Sequence, residues 1–136
     1  MPCAANTPLR VAAYCRVSTD KEDQRNSLAA QQAFFLHYIE EHPGWVLVGV
    51  FADEGLSGTS VKRRPQFTGM IQRAMAGEID LILTKEVSRF ARNTVDTLQI
   101  TRQLKAGGVG VLFLNDGIDT RDNDGEFRLT IMASVA

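Results

Sequence analysis

Four short apolar runs rich in β-branched residues divide the chain: residues 9–17 (LRVAAYCRV), 45–52 (WVLVGVFA), 79–84 (IDLILT) and 109–114 (VGVLFL). Runs of this length, without a polar alternate, predict strands covered on both faces. Between them the apolar positions change to helical spacing, over about 27–41, 65–76 and 93–106, and a further helix begins near Gly125. Several boundaries have local causes. Pro65 suits a first helical turn, His42-Pro43-Gly44 stops the helix before it, and Gly107-Gly108 ends the helix before the fourth strand. Strand and helix alternate throughout, which predicts an α/β fold: a mostly parallel sheet of four to five strands with helices on both faces. No repeat, low-complexity stretch or linker interrupts the 136 residues, so one domain is expected over 1–136. In such a sheet, ligand-handling groups gather beyond the carboxyl ends of the strands.

The last segment, 127–136 (FRLTIMASVA), places apolar residues at 127, 131 and 135 and also at 129, 132 and 136. A helix apolar on more than one face needs cover, either from its own sheet or from a second chain. It stops uncapped, and the chain is read as an N-terminal piece that ends within a longer helix; a C-terminal helix packed wholly on its own core fits the pattern equally well. The longest apolar runs fall far short of the roughly 20 residues that span a bilayer, so no membrane segment is expected. With only Cys3 and Cys15, a reducing compartment is expected rather than a disulfide scaffold.

Charge adds a second layer. Fifteen Lys and Arg against 16 Asp and Glu leave a net charge of −1, which argues against a whole-surface grip on nucleic acid. The charges are nonetheless sorted: Lys62, Arg63, Arg64 and Arg73 occur without an acid between residues 60 and 73, residues 85–105 are also basic, and residues 112–126 are acidic. Any one such run can be an ordinary solvated helix face; two basic runs weaken that explanation.

The groups expected beyond the strand ends are specific. Arg16 and Ser18 fall on one face of the first strand end by the two-residue alternation. Taken alone, Ser18 or Asp20 reads as a cap for the next turn. The third strand runs into Lys85 to Asn93, where Arg89 and Arg92 are neighbours if the turn is helical. After the second strand, a polar connection of about twelve residues (53–64) ends in Arg64, a length at which loops are usually functional. Three strand ends thus converge on four arginines and a serine, and the planar guanidinium fork matches phosphate oxygens. Neither GxxxxGK[ST] nor a GxGxxG opening a helix is present. His37 and His42 lie late in a helix, away from a strand end, which disfavours a histidine triad. The acids at 116, 119, 122, 124 and 126 lack calcium-loop spacing, and no metal or other cofactor is expected. Transfer of a phosphoryl group to Ser18, with arginines stabilising the charge on the phosphate, is the chemistry that remains.

Six motifs carry a family resemblance: Tyr14-Cys15-Arg16-Val17-Ser18-Thr19; Ser27-Leu28 with Gln31; Asp53-Glu54-Gly55-Leu56-Ser57-Gly58; Arg64-Pro65-Gln66-Phe67; Ser88-Arg89-Phe90-Ala91-Arg92-Asn93; and Asp116-Gly117-Ile118-Asp119-Thr120. In order and approximate spacing they resemble the N-terminal catalytic domain of the serine recombinases, the resolvase and invertase family. The glycine-containing loop and the Arg-Pro-x-Phe junction are more similar to the large members, the phage integrases and mobile-element transposases, in which a long DNA-binding region follows the catalytic domain.

The resemblance implies site-specific recombination of double-stranded DNA in the cytoplasm, at the nucleoid. A serine cleaves the phosphodiester to leave a 5′-phosphoseryl link and a free 3′ hydroxyl; exchange and religation follow, without metal or nucleotide. By position, Ser18 matches the nucleophile, Arg16, Arg64, Arg89 and Arg92 the arginines around the phosphate, and Gln31, with Gln24 more loosely, the supporting residues. Lys62, Arg63 and Lys85 are candidate DNA contacts. Many members have Asp where Ser88 stands, so Ser88 is given an orienting or capping role. The family also implies a homodimer and a synaptic homotetramer built through the long helix that begins near Gly125. Two other readings are a non-catalytic assembly module, against which the complete set of Ser18 and four arginines argues, and a phosphatase, which would need a metal or an acid to activate water.

Overall fold

The computed structural model describes residues 8–17, 28–54, 65–85 and 94–135. Its elements run β1 (Leu9–Val17), α1 (Leu28–Glu40), β2 (Trp45–Glu54), α2 (Pro65–Met75), β3 (Leu81–Thr84), α3 (Thr94–Ala106), β4 (Gly110–Phe113), β5 (Ile118–Asp119) and α4 (Asn123–Val135). The sheet order is β2-β1-β3-β4-β5, parallel except for β5, which pairs antiparallel with β4. This is the expected α/β architecture with helices on both faces. β5 is the strand that the apolar pattern did not locate: it has two residues, in an acid-rich stretch that reads as turn.

Alternation along β1 and β3 divides the core in two. Ala12, Tyr14 and Ile82 face one side with Val111 and Phe113, under Phe67, Met70 and Ala74 of α2, Leu98 and Leu104 of α3, and Leu129 of α4. Val11, Ala13, Cys15, Leu81 and Leu83 face the other side, where α1 lays Phe35 and Ile39 on them. All four residues of β3 are buried, which is why its sequence reads as a continuous apolar run. Helices α2 and α3 end alike: Gly77 and Gly108 take φ near +86°, and the amides of Glu78 and Val109 reach back to the carbonyls of Arg73 and Leu104. Only glycine adopts that left-handed position without strain, so each helix stops where the chain must turn into the next strand.

The terminal helix is covered by the domain on one side only. Leu129 is fully buried in the domain's own core, whereas Phe127 and Ile131, one turn apart, are 63% and 46% exposed. Gly125 sits where α4 crosses β5, and the tight crossing leaves no room for a side chain.

Cys15 lies on the α1 side of β1, and burial pushes its thiol up to about 11 from an ordinary 9.0, with Lys85 pulling weakly the other way. Between those two values the native state holds a proton that the unfolded chain has released, so this residue's contribution to stability falls as pH rises from 9 to 11. In a Cys3→Ser variant, iodoacetamide at pH 8.5 is expected to label Cys15 at least about tenfold more slowly in the native than in the urea-unfolded protein, since only an exposed thiolate reacts. Equal rates in both states would show that the thiol is accessible.

Candidate active site

In a parallel sheet the carboxyl ends of β1, β2, β3 and β4 share one edge, and there the structure brings several groups together. Arg16, half-buried near the end of β1, is the register partner of Asp53 on β2. Gln31, buried in the first turn of α1, donates its Nε2 to the Arg16 carbonyl oxygen at 3.2 Å. The glutamine therefore braces the backbone that presents Arg16. The next two strand ends are tied together, with the amides of Leu114 and Asn115 donating to the carbonyls of Thr84 and Lys85.

Lys85, the residue after β3, turns to the α1 side and holds its Nζ 4.5 Å from the centre of the Phe34 ring. A cation over an aromatic face is stabilised by the ring quadrupole. The structure thus gives this expected DNA contact a neighbour within the domain, on the side of the sheet opposite α2. Ser18, Gln24, Lys62, Arg63, Arg64, Ser88, Arg89 and Arg92 lie outside the described residues. Their attachment points do not: residue 18 follows β1, residue 64 precedes α2, and residues 86–93 connect β3 to α3.

Two residues of this edge were read from sequence only as packing or as part of a motif. The Asp53 carboxylate is buried, and it accepts three hydrogen bonds: from Tyr14 Oη at 2.9 Å, from the Gln66 amide at 3.1 Å and from the Phe67 amide at 2.9 Å. Tyr14, expected to be a core residue, is indeed fully buried and meets Phe67 edge-on at 5.0 Å, but its hydroxyl is part of this network. The signal was available in principle, because a tyrosine inside a buried strand needs a partner for its hydroxyl. The partner's identity was not, because it lies on another strand.

Other charged groups are occupied away from this edge. At the start of β1 and β3, Arg10 grips Asp80 through two side-chain hydrogen bonds and holds that carboxyl below the usual range. Asp119 feels burial pushing its carboxyl up, yet the Arg121 guanidinium prevails and keeps it low. Arg128 of α4 donates to the carbonyls of Asp116 and Gly117, fixing the β4–β5 turn to the helix. Two of the acidic residues in the 112–126 stretch thus supply a structural ion pair and a turn clasped by arginine.

Chemically, the edge presents a guanidinium on a braced strand end beside a helix N-terminus already satisfied by a buried carboxylate. Comparison with known proteins gives this geometry its context. The family model described as "Resolvase, N terminal domain" matches residues 11–136. The chain is 31% identical over 129 residues to the transposon Tn3 resolvase of Escherichia coli and 33% identical to the R46 site-specific recombinase of the same organism, covering 94% of this chain in each case. It spans 62% and 60% of those relatives' lengths. Among solved structures, the N-terminal catalytic domain of TP901-1 integrase superposes with a TM-score of 0.75 at 28% identity, covering 93% of this chain and 92% of that one. A resolvase family site-specific recombinase from Streptococcus pneumoniae gives the same TM-score at 31% identity, covering 93% and 87%. The family model covers nearly the whole chain, and on that basis the chain belongs to the resolvase N-terminal domain family.

Proposed function

We propose that the protein is a site-specific DNA recombinase in which Ser18 attacks a DNA phosphodiester. The bond from phosphorus to the 3′ oxygen breaks as the serine ester forms, leaving a 5′-phosphoseryl link and a 3′ hydroxyl that later reverses the step on a new partner. Arg16, Arg64, Arg89 and Arg92 surround the phosphate and neutralise the charge that builds on its oxygens, while Gln31 supports Arg16. Transesterification conserves the phosphoester bond, so this scheme needs no nucleotide as an energy source, and the arginines supply the positive charge that balances the phosphate. The observation that carries the reading is the placement of Arg16 at the carboxyl edge of β1, braced by Gln31, two residues before a serine and one strand from the start of α2, which Arg64 precedes. Lys62, Arg63 and Lys85 contribute to holding the flanking duplex, whose phosphates any such enzyme must grip.

The same reading assigns α4 to assembly. Exposed Phe127, Ile131 and Met132 form an apolar surface on a helix anchored to the domain through Leu129, which suits a homodimer that pairs into a synaptic tetramer on two DNA sites. Among the described residues no helix is long and apolar enough to cross a membrane, and action on DNA at the nucleoid of the cytoplasm accords with that.

The test is covalent trapping. The protein at its native length is incubated with a DNA site carrying a nick that prevents religation, and the adduct is digested and mapped by peptide mass spectrometry. The expected result is a nucleotide ester on Ser18. An adduct on any other residue, or cleavage without an adduct, overturns the mechanism.

A further inference from the structure

The described cations divide by what holds them. Arg10, Arg73, Arg102 and Arg121 each reach a carboxylate, at 3.0, 3.0, 3.9 and 2.7 Å, so a negative group of the domain stands against each. Lys85 is held differently. It follows β3 at the carboxyl edge, half-buried, and among the described residues its ammonium meets no carboxylate; it rests 4.5 Å from the centre of the Phe34 ring. An aromatic face attracts a cation through its quadrupole but carries no net charge, so it fixes an ammonium without neutralising it. Both halves of the contact are anchored. The Lys85 carbonyl accepts the Asn115 amide, which fixes the backbone from which the side chain leaves. Phe34 lies on α1, one turn after Gln31, the residue that reaches Arg16. Its ring is 40% exposed, too open for a core residue, yet neighbours set it: the buried Phe35 edge-on at 5.3 Å and Tyr38 at 6.2 Å between ring centres.

We infer that Phe34 is a positioning residue for DNA binding: it holds the Lys85 ammonium, with no carboxylate against it, at the edge where Arg16 lies, ready for a backbone phosphate beside the one that is cleaved. A free lysine loses the rotational freedom of its long stem when it grips a phosphate; on Phe34 part of that freedom is given up before DNA arrives. A carboxylate in place of the ring would also hold the lysine, but it would compete with the phosphate. The inference rests on the recombinase reading above and adds how one of its DNA contacts is presented. A ring that only covered the sheet would act on folding alone.

The experiment measures the affinity of the native-length protein for the nicked DNA site used in trapping, by fluorescence anisotropy over about 50–200 mM salt, with thermal melting in parallel. Lys85→Ala is expected to weaken binding by about tenfold and to reduce the slope of log affinity against log salt by about 0.9, the loss of one phosphate contact. Phe34→Leu keeps an apolar side chain and an unchanged melting point; it is expected to weaken binding by about threefold with the slope intact, since the lysine still reaches its phosphate but must be ordered to do so. Phe34→Tyr retains the ring face and is expected to bind as wild type. Phe34→Glu supplies a competing carboxylate and is expected to weaken binding as far as Lys85→Ala does. In a Lys85→Ala background, Phe34→Leu is expected to add nothing, because its effect passes through the lysine. Wild-type affinity in Phe34→Leu, wild-type affinity and slope in Lys85→Ala, or the same threefold loss once Lys85 has been removed overturns the inference. A Ser18→Ala control in the trapping assay separates the two levels: if it still cleaves, the recombinase mechanism has failed; if it is inert while Phe34→Leu binds as wild type, only the positioning role has failed.

Discussion

Arg16→Ala is expected to lower the rate of DNA cleavage by about 10²–10³-fold, the usual effect of deleting one fixed donor aimed at developing negative charge. The fold should be indifferent. Arg16 is half-buried at the end of β1, its backbone is paired with β2, and Gln31 reaches its carbonyl oxygen. Melting should therefore change by no more than the roughly 0.5 kcal/mol typical of substitutions away from packed or capped positions. Arg16→Lys should recover little of the lost rate, because an ammonium preserves charge but not the planar fork that meets two phosphate oxygens. Arg89→Ala and Arg92→Ala are expected to behave alike, with cleavage lost and the folded state kept. Quench-flow cleavage on nicked DNA together with calorimetry measures both quantities. Wild-type rates in Arg16→Ala would remove the arginine from the site, and unfolding of the Arg89 and Arg92 variants would make those residues structural.

Gly125→Ala is expected to destabilise the protein by about 3 kcal/mol, at the upper end of what overpacking commonly costs. A methyl at this position would overlap the Asp119 backbone, lying 2.6 Å from its carbonyl carbon and nearer still to its oxygen. Backbone cannot move aside as a flexible side chain can. Either α4 lifts from β5, exposing Leu129, or β5 is pushed from β4. The neighbouring clasp of Arg128 on the carbonyls of Asp116 and Gly117 resists both movements. Gly69→Ala is the internal control of opposite sign. That glycine lies inside α2, and a methyl added there would meet nothing within 4 Å, so alanine should stabilise by about 0.5–1 kcal/mol through helix propensity. Urea titrations of the two variants give the comparison directly, and equal midpoints would mean that the α4–β5 crossing is not tight in solution.

Much of this architecture could be read from the order of residues. Strand β1 spans Leu9–Val17 as its apolar run indicates, and α1, α2 and α3 begin and end within a residue of their patterns, since Pro65 and the glycines at 77 and 108 act locally. Strand β2 runs to Glu54, two residues beyond its apolar stretch, because Asp53 is polar by composition yet buried by its bonds. Strand β3 is shorter than its pattern, beginning at Leu81, although Asp80 still exchanges backbone hydrogen bonds with Arg10 and Gly110. Helix α4 starts at Asn123, before the glycine that marked it, for that glycine serves the crossing with β5 rather than the helix end.

The chemistry divides along the same line. Residue types and spacing brought Arg16 forward as a candidate, because phosphate handling demands guanidinium groups near a strand end, and the family resemblance added Gln31, whose side chain reaches the Arg16 backbone in the structure. Spacing could not reveal that Tyr14 and Asp53, 39 residues apart, share a hydrogen bond, or that Asp53 caps a helix beginning at Pro65. Local sequence fixes what each segment tends to form, since propensities and caps act over a few residues. Which polar groups meet inside the protein depends on strand order and register, and these arise only when distant segments pack and every buried donor must find its acceptor.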